Sequence, residues 1–147
     1  MLSLDSNLLF YAFNSSSPWH SRAVRFLSAL HERQDVVISE LVLIEFYTLL
    51  RNPAVVERPL TPAEAVDVIE VYRTHPRWRL EGFPNDSPRL HGSLWVAARE
   101  PNFARRRVYD ARLALTLIQQ GVREFATANV ADFADFGFVR VWNPLTD

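Results

Sequence analysis

Along the whole chain, short apolar runs alternate with segments whose apolar residues recur at helical spacing. That alternation constrains the fold more than any other feature, because parallel strands need a crossover between them and the usual crossover is a helix. Met1 to Leu4 reads as a first buried strand and Ser6 to Phe13 as a short helix. After a loop from Asn14 to Pro18, with Ser17 as cap and Pro18 in the first turn, Ala23, Phe26, Leu27 and Leu30 mark a second helix reaching Arg33. The β-branched Val36-Val37-Ile38 forms a second strand within Asp35 to Ser39, and Glu40 to Arg51 is a helix closed by Asn52-Pro53. Thr61-Pro62-Ala63-Glu64 is a capping box that opens a helix stopped by Pro76. Trp78 to Phe83 is a third strand, Pro88 to Glu100 a helix, and Val108 to Gln120 a helix that Gly121 terminates. Val122 to Thr127 and Phe138 to Trp142 are the last two strands, with a turn of helix at Asp132 to Ala134 between them. The expected fold is α/β: one domain over residues 1–147, with a mostly parallel sheet of about five strands and helices on both faces.

Composition narrows the chemistry. The chain has no cysteine, which excludes disulfides, thiol nucleophiles and Cys-bound metal. Its 16 basic residues are all arginine and stand against 17 acids, so the chain as a whole is not a basic nucleic-acid coat, although a local basic face is open to it. No basic leader precedes an apolar core at the N-terminus and charges interrupt every apolar run, so a cytoplasmic protein with no membrane segment is expected. His20, His31, His75 and His91 have no metal-ligand spacing and read as surface or capping residues.

Most acids sit where a solvated helix face puts them, Glu64, Asp67 and Glu70 among them. Four do not. Asp5 ends the first strand, Glu45 lies inside an almost wholly apolar helix and is expected to be at least partly buried, Asp110 opens the Val108 helix on the side of Leu113, Ala114 and Leu117, and Asp132 follows the fourth strand. Singly, each has an ordinary role: Asp5 and Asp132 as caps, Asp110 at a helix N-terminus, Glu45 paired to an arginine such as Arg112. Three of them map to the carboxyl ends of strands or to the helix starts beside them, where open α/β sheets carry their sites, and Glu45 lies one turn into the helix after the second strand. Clustered carboxylates repel and stay ionised only beside a cation, and hard oxygen donors select Mg²⁺ or Mn²⁺.

The same residues resemble the PIN domain. Asp5-Ser6-Asn7 after an apolar strand is similar to its opening motif, and Ser39-Glu40-Leu41-Val42-Leu43-Ile44-Glu45-Phe46 to its second. Tyr109-Asp110-Ala111 resembles the third motif. Ala126-Thr127-Ala128-Asn129-Val130-Ala131-Asp132-Phe133, followed by a strand ending Trp142-Asn143-Pro144, resembles the fourth. All four occur in order, and the length matches the VapC toxins of prokaryotic toxin–antitoxin pairs. The resemblance implies an Mg²⁺-dependent endoribonuclease, with Mn²⁺ as substitute, whose metal-site acids are Asp5, Glu45, Asp110 and Asp132. The fourth position lies between Asn129 and Asp132; it is assigned to Asp132, with Asn129 expected to hydrogen-bond or touch metal-bound water. Thr127 is expected to orient an acid, and Asn7 to hold Asp5 or a water. The resemblance also implies a homodimer and silencing by a cognate VapB-like antitoxin.

Arg73, Arg77, Arg79, Arg89 and Arg99, then Arg105, Arg106 and Arg107, concentrate charge between Asn52 and Val108 and read as an RNA-backbone clamp, the last three most of all for their closeness to Asp110. Trp78 and Trp95 are expected in the core. Phe10, Tyr11, Phe13 and Trp19, with Phe46, Tyr47 and Leu50, are a candidate apolar groove for the antitoxin. Two other readings stay open here: a protein-interaction module that has lost metal, favoured by Asn129, and a phosphatase with an aspartyl nucleophile, disfavoured because the chain has no lysine.

Overall fold

The computed structural model describes residues 1–147. In chain order the elements are β1 (Leu2–Leu4), α1 (Ser6–Phe13), α2 (His20–Leu30), β2 (Val36–Ser39), α3 (Glu40–Leu50), α4 (Pro62–Arg73), β3 (Arg79–Glu81), α5 (Ser87–Ala98), α6 (Arg107–Gln119), β4 (Glu124–Ala126), α7 (Val130–Phe133) and β5 (Arg140–Trp142). The strands form one sheet in the order β3-β2-β1-β4-β5. Every neighbouring pair is parallel, where the sequence predicts a mostly parallel sheet; Leu4 stands beside Ala126 and Ser3 beside Val37.

Right-handed crossovers explain the layering. From β1 the chain steps to β2 and then β3 in one direction, and from β3 it returns past β1 to β4 and β5 in the other. Keeping one hand through both directions puts the two sets of helices on opposite faces. Accordingly α1 packs on α2 and α3, and α3 on α4, while α5 and α7 pack on α6. The central strands are covered on both sides: Leu2 to Leu4 and Val36 to Ser39 are all buried, and Phe46 and Phe125 are the largest of the fully enclosed side chains.

Local chemistry fixes most element ends. Thr61 Oγ accepts from the Glu64 amide at 3.3 Å while Glu64 returns a bond to the Thr61 amide at 3.1 Å, the reciprocal cap expected from the sequence. Gly121 follows α6 at φ +87°, a conformation that side chains with a Cβ resist. Two helix starts differ from expectation. Ser17 does cap, but it caps a turn: its hydroxyl takes the Trp19 amide at 3.1 Å and its carbonyl the His20 amide at 3.1 Å, so α2 begins at His20. The helical turn after β4 begins at Val130, which leaves Asp132 inside α7 instead of at its cap.

Trp78 is buried as expected, its indole donating to the Leu30 carbonyl at 3.1 Å. Trp95 is not: it is 62% exposed. Helix α5 buries Leu90 and Leu94, and Trp95 falls one residue off that stripe. The strand order changes direction between β1 and β4, which opens a crevice at their carboxyl ends, where Asp5 and the Thr127–Asn129 segment emerge.

Candidate active site

Asp5 leaves the end of β1 almost fully enclosed, 5% exposed, and both its oxygens are held. Oδ1 accepts the Ser6 amide at 2.8 Å, which makes Asp5 the cap of α1. Oδ2 accepts the Thr127 hydroxyl at 2.7 Å and the Asn7 side-chain amide at 3.0 Å. The support is itself supported: Thr127 Oγ receives the Asn129 amide at 3.0 Å, and Asn7 Oδ1 receives the Ala128 amide at 3.3 Å. The residues expected to orient an acid, Thr127 and Asn7, both act on Asp5 and join β1 to the end of β4. Burial raises the Asp5 carboxyl to about 6; the Thr127 hydrogen bond pulls it back, while Glu45 and Asp110 push it further up.

The other three acids approach from separate elements. Glu45 projects from the second turn of α3, Asp110 from the first turn of α6 and Asp132 from α7. All three line one open cavity of about 410 Å³ together with Asp5, Asn7, Asn129 and Tyr11. None of their carboxylates accepts a hydrogen bond from the protein, in contrast to Asp5. Asp110 is half-buried, and burial raises its carboxyl to about 6, with Asp132 and Glu45 adding to the rise and Arg107 and Arg106 opposing it. Glu45 corrects the expectation of burial: it is exposed, because the side of α3 that carries it faces the cavity while Val42, Leu43 and Phe46 turn into the core. Asn129 lines the same cavity, and its backbone amide, not its side chain, carries its bond to Thr127.

The donor set suits a hard divalent cation, since four carboxylates and two side-chain amides offer only oxygen ligands and no histidine lines the cavity. No three acidic or histidine side chains converge tightly enough to grip an ion unaided. At that spacing a divalent cation would take some of its ligands from water or a substrate phosphate.

A second cavity, of about 730 Å³, shares Glu45, Leu49 and Asp110 with the first and runs between α3 and α6. Its basic residues are Arg106 and Arg112. Of the expected arginine triplet, Arg106 reaches this cavity, Arg105 is exposed, and Arg107 turns away to lie over Phe136 at 4.9 Å and 3.9 Å from Asp135. Three of the more distant arginines are already committed: Arg73 to Glu40 and Glu70, Arg77 to Glu32, and Arg79 to Glu81. The aromatic groove is mostly core: Phe10, Phe46 and Leu50 are buried, and of the remainder only Tyr11 borders the acids. Ser6 and Tyr109 enter the sequence motifs only as neighbours of Asp5 and Asp110, and Arg112 only as a candidate partner for Glu45, yet all three line the two cavities, and the i, i+3, i+4 spacing of Arg106, Tyr109 and Asp110 already puts them on one helical face.

A family model, the PIN domain, matches residues 2–139. Ribonuclease VapC24, known from two strains of Mycobacterium tuberculosis, is 51% identical over 99% of this chain and 98% of its own. Two solved structures share the fold at lower identity. Mycobacterium tuberculosis VapC20, described as a sarcin–ricin loop cleaving toxin, superposes with a TM-score of 0.70 at 19% identity over 94% of this chain and 96% of its own. VapBC2 from Rickettsia felis, solved with a DNA fragment from its promoter, gives 0.67 at 16% over 97% of each chain. The chain belongs to the PIN-domain family and, within it, to the VapC ribonuclease toxins.

Proposed function

We propose that the acid-lined cavity hydrolyses RNA phosphodiester bonds with Mg²⁺, or Mn²⁺ in its place, held by Asp5, Glu45, Asp110 and Asp132. The observation that carries this reading is the meeting of four acids from four separate segments around one cavity, two of them pushed to about 6 by burial and by the neighbouring acids. When bound, the cation supplies a water of lowered pKa and stabilises the leaving oxygen. The chain's own residues divide the remaining work. Thr127, Asn7 and the Ser6 amide lock the Asp5 carboxylate in one orientation. Glu45, Asp110 and Asp132 keep their oxygens free of protein hydrogen bonds and so available to cation and water, whereas those of Asp5 are in use. Asn129 stands at the cavity rim as a neutral partner for water or RNA, so its place beside the acids gives no support to a metal-free interaction module.

The test is cleavage of single-stranded RNA by the purified protein with Mg²⁺ or Mn²⁺, stopped by EDTA and absent in folded Asp110→Asn. A folded wild-type protein inert with both metals would sink the reading. The whole chain, residues 1–147, acts as the nuclease unit. A cognate VapB-like antitoxin is the expected partner, supported by a structural neighbour being a VapBC protein. Tyr11, half-buried at the edge of the acids, is the aromatic side chain such a partner would meet. Loss of antitoxin affinity in Tyr11→Ala tests that contact. The homodimer and the cytoplasmic location are carried by family membership alone; no helix is long and apolar enough to cross a membrane.

A further inference from the structure

The cavity between α3 and α6 contributes no further acid of its own, yet it opens into the site through Glu45 and Asp110, which border both spaces. Its walls are single helical faces. Arg106, Tyr109, Asp110 and Leu113 follow i, i+3, i+4, i+7 spacing on one side, and Leu41, Ile44, Glu45 and Thr48 do so on the other. Neither Arg106 nor Arg112 makes an ion pair, unlike Arg73, Arg77 and Arg79. The Tyr109 ring is 70% exposed at the mouth, one helical turn before Leu113. Asn52 Oδ1 is used by the Ala54 amide, which leaves its NH₂ group to donate. Two unpaired guanidinium groups, a free aromatic face and a free amide donor in one groove match a phosphate, a base and a sugar or base edge.

We propose that this groove seats the nucleotide next to the scissile phosphate, with Arg106 and Arg112 on the adjacent backbone phosphate and Tyr109 stacked on an unpaired base. The inference rests on the nuclease reading above and adds to it a subsite for one unpaired nucleotide, built from Arg106, Tyr109 and Arg112. An aromatic ring between two helices takes a splayed base, and a base in a duplex is not free to leave its stack. The two basic residues also offset the repulsion that the acids exert on an incoming polyanion.

The experiment is binding of a fluorescein-labelled single-stranded oligoribonucleotide in EDTA, followed by anisotropy across a salt series. Arg106→Ala and Arg112→Ala each flatten the slope of log affinity against log salt by about 0.7. Tyr109→Leu weakens binding by roughly ten- to a hundredfold with the slope unchanged, and Tyr109→Phe, which keeps the ring, restores it. Arg123→Ala, at the opposite end of the sheet, leaves affinity unchanged. In cleavage assays the groove variants raise KM more than they lower kcat. Wild-type affinity in Arg112→Ala and Tyr109→Leu, or equal binding of duplex RNA, overturns the proposal. If the wild-type protein cleaves no RNA, the nuclease reading fails while the binding series still reports on the groove; if it cleaves and the series is flat, only the groove is lost.

Discussion

The two sides of the acid cavity are built on opposite principles. On the sheet side, Asp5 is buried and accepts hydrogen bonds from Ser6, Asn7 and Thr127, so its position is set by the fold. On the helix side, Glu45, Asp110 and Asp132 have open oxygens and at least partial exposure. A held carboxylate gives a reference point, and those without protein partners keep their oxygens open to other ligands. The difference also separates two kinds of cost. Asp5 is unfavourable mainly through burial, Asp110 through burial joined by neighbouring charge.

The largest effect expected from this contrast is at the open side. Asp110→Asn should reduce cleavage to the detection limit while raising the melting temperature of the metal-free protein, since it removes a charge that burial disfavours and that Asp132 and Glu45 repel. A lower melting temperature would mean that Asp110 is a structural group. Next comes the anchor. Thr127→Val should lower activity or metal affinity by about ten- to a hundredfold, as loss of an orienting partner does, with Thr127→Ser recovering most of it. Equal activity in Thr127→Val would show that Asp5 needs no anchor.

A third test uses pH without metal. The folded-state value of Asp5, about 6, lies above its ordinary 3.8, so the folded protein binds the extra proton in that interval and stability falls as pH rises through it. The loss is on the order of 3 kcal/mol for a fully buried group, and less is added by half-buried Asp110. His75, held below its usual value by burial, works in the opposite sense as pH rises toward 6.5. The measurement is therefore the difference between wild type and Asp5→Asn in melting curves across this range. A difference that stays constant with pH would contradict the shift. Smallest of all, Arg73→Ala should leave both the melting temperature and RNA affinity close to unchanged, because Arg73 is exposed, its partners Glu40 and Glu70 are partly exposed, and it lies outside the groove.

Features set by neighbouring residues were legible in the sequence. The capping box at Thr61, the β-branched run at Val36 and the αL glycine at 121 each depend on a few adjacent positions, and each appears where expected. Asp5 and Asp132 were legible because strand ends are. Exposure of Glu45 and Trp95 was not: whether a helix face is covered depends on elements far away in sequence, and here no element lies over either side chain. The same holds for Arg73, Arg77 and Arg79, whose charge looks free in one dimension and is spent on nearby acids in three. Tyr109 and Arg112 acquire meaning only once α3 stands opposite α6.

The place of β1 has a consequence for synthesis. It leaves the ribosome before the other four strands but lies in the middle of the sheet, and one of its edges waits for β4. The hydroxyl that orients Asp5 arrives 122 residues later, on Thr127. A nascent chain that has reached only α5 thus carries an open strand edge, the feature most prone to stray pairing, and an acid that nothing aims. The enzyme is unarmed until its last quarter has docked.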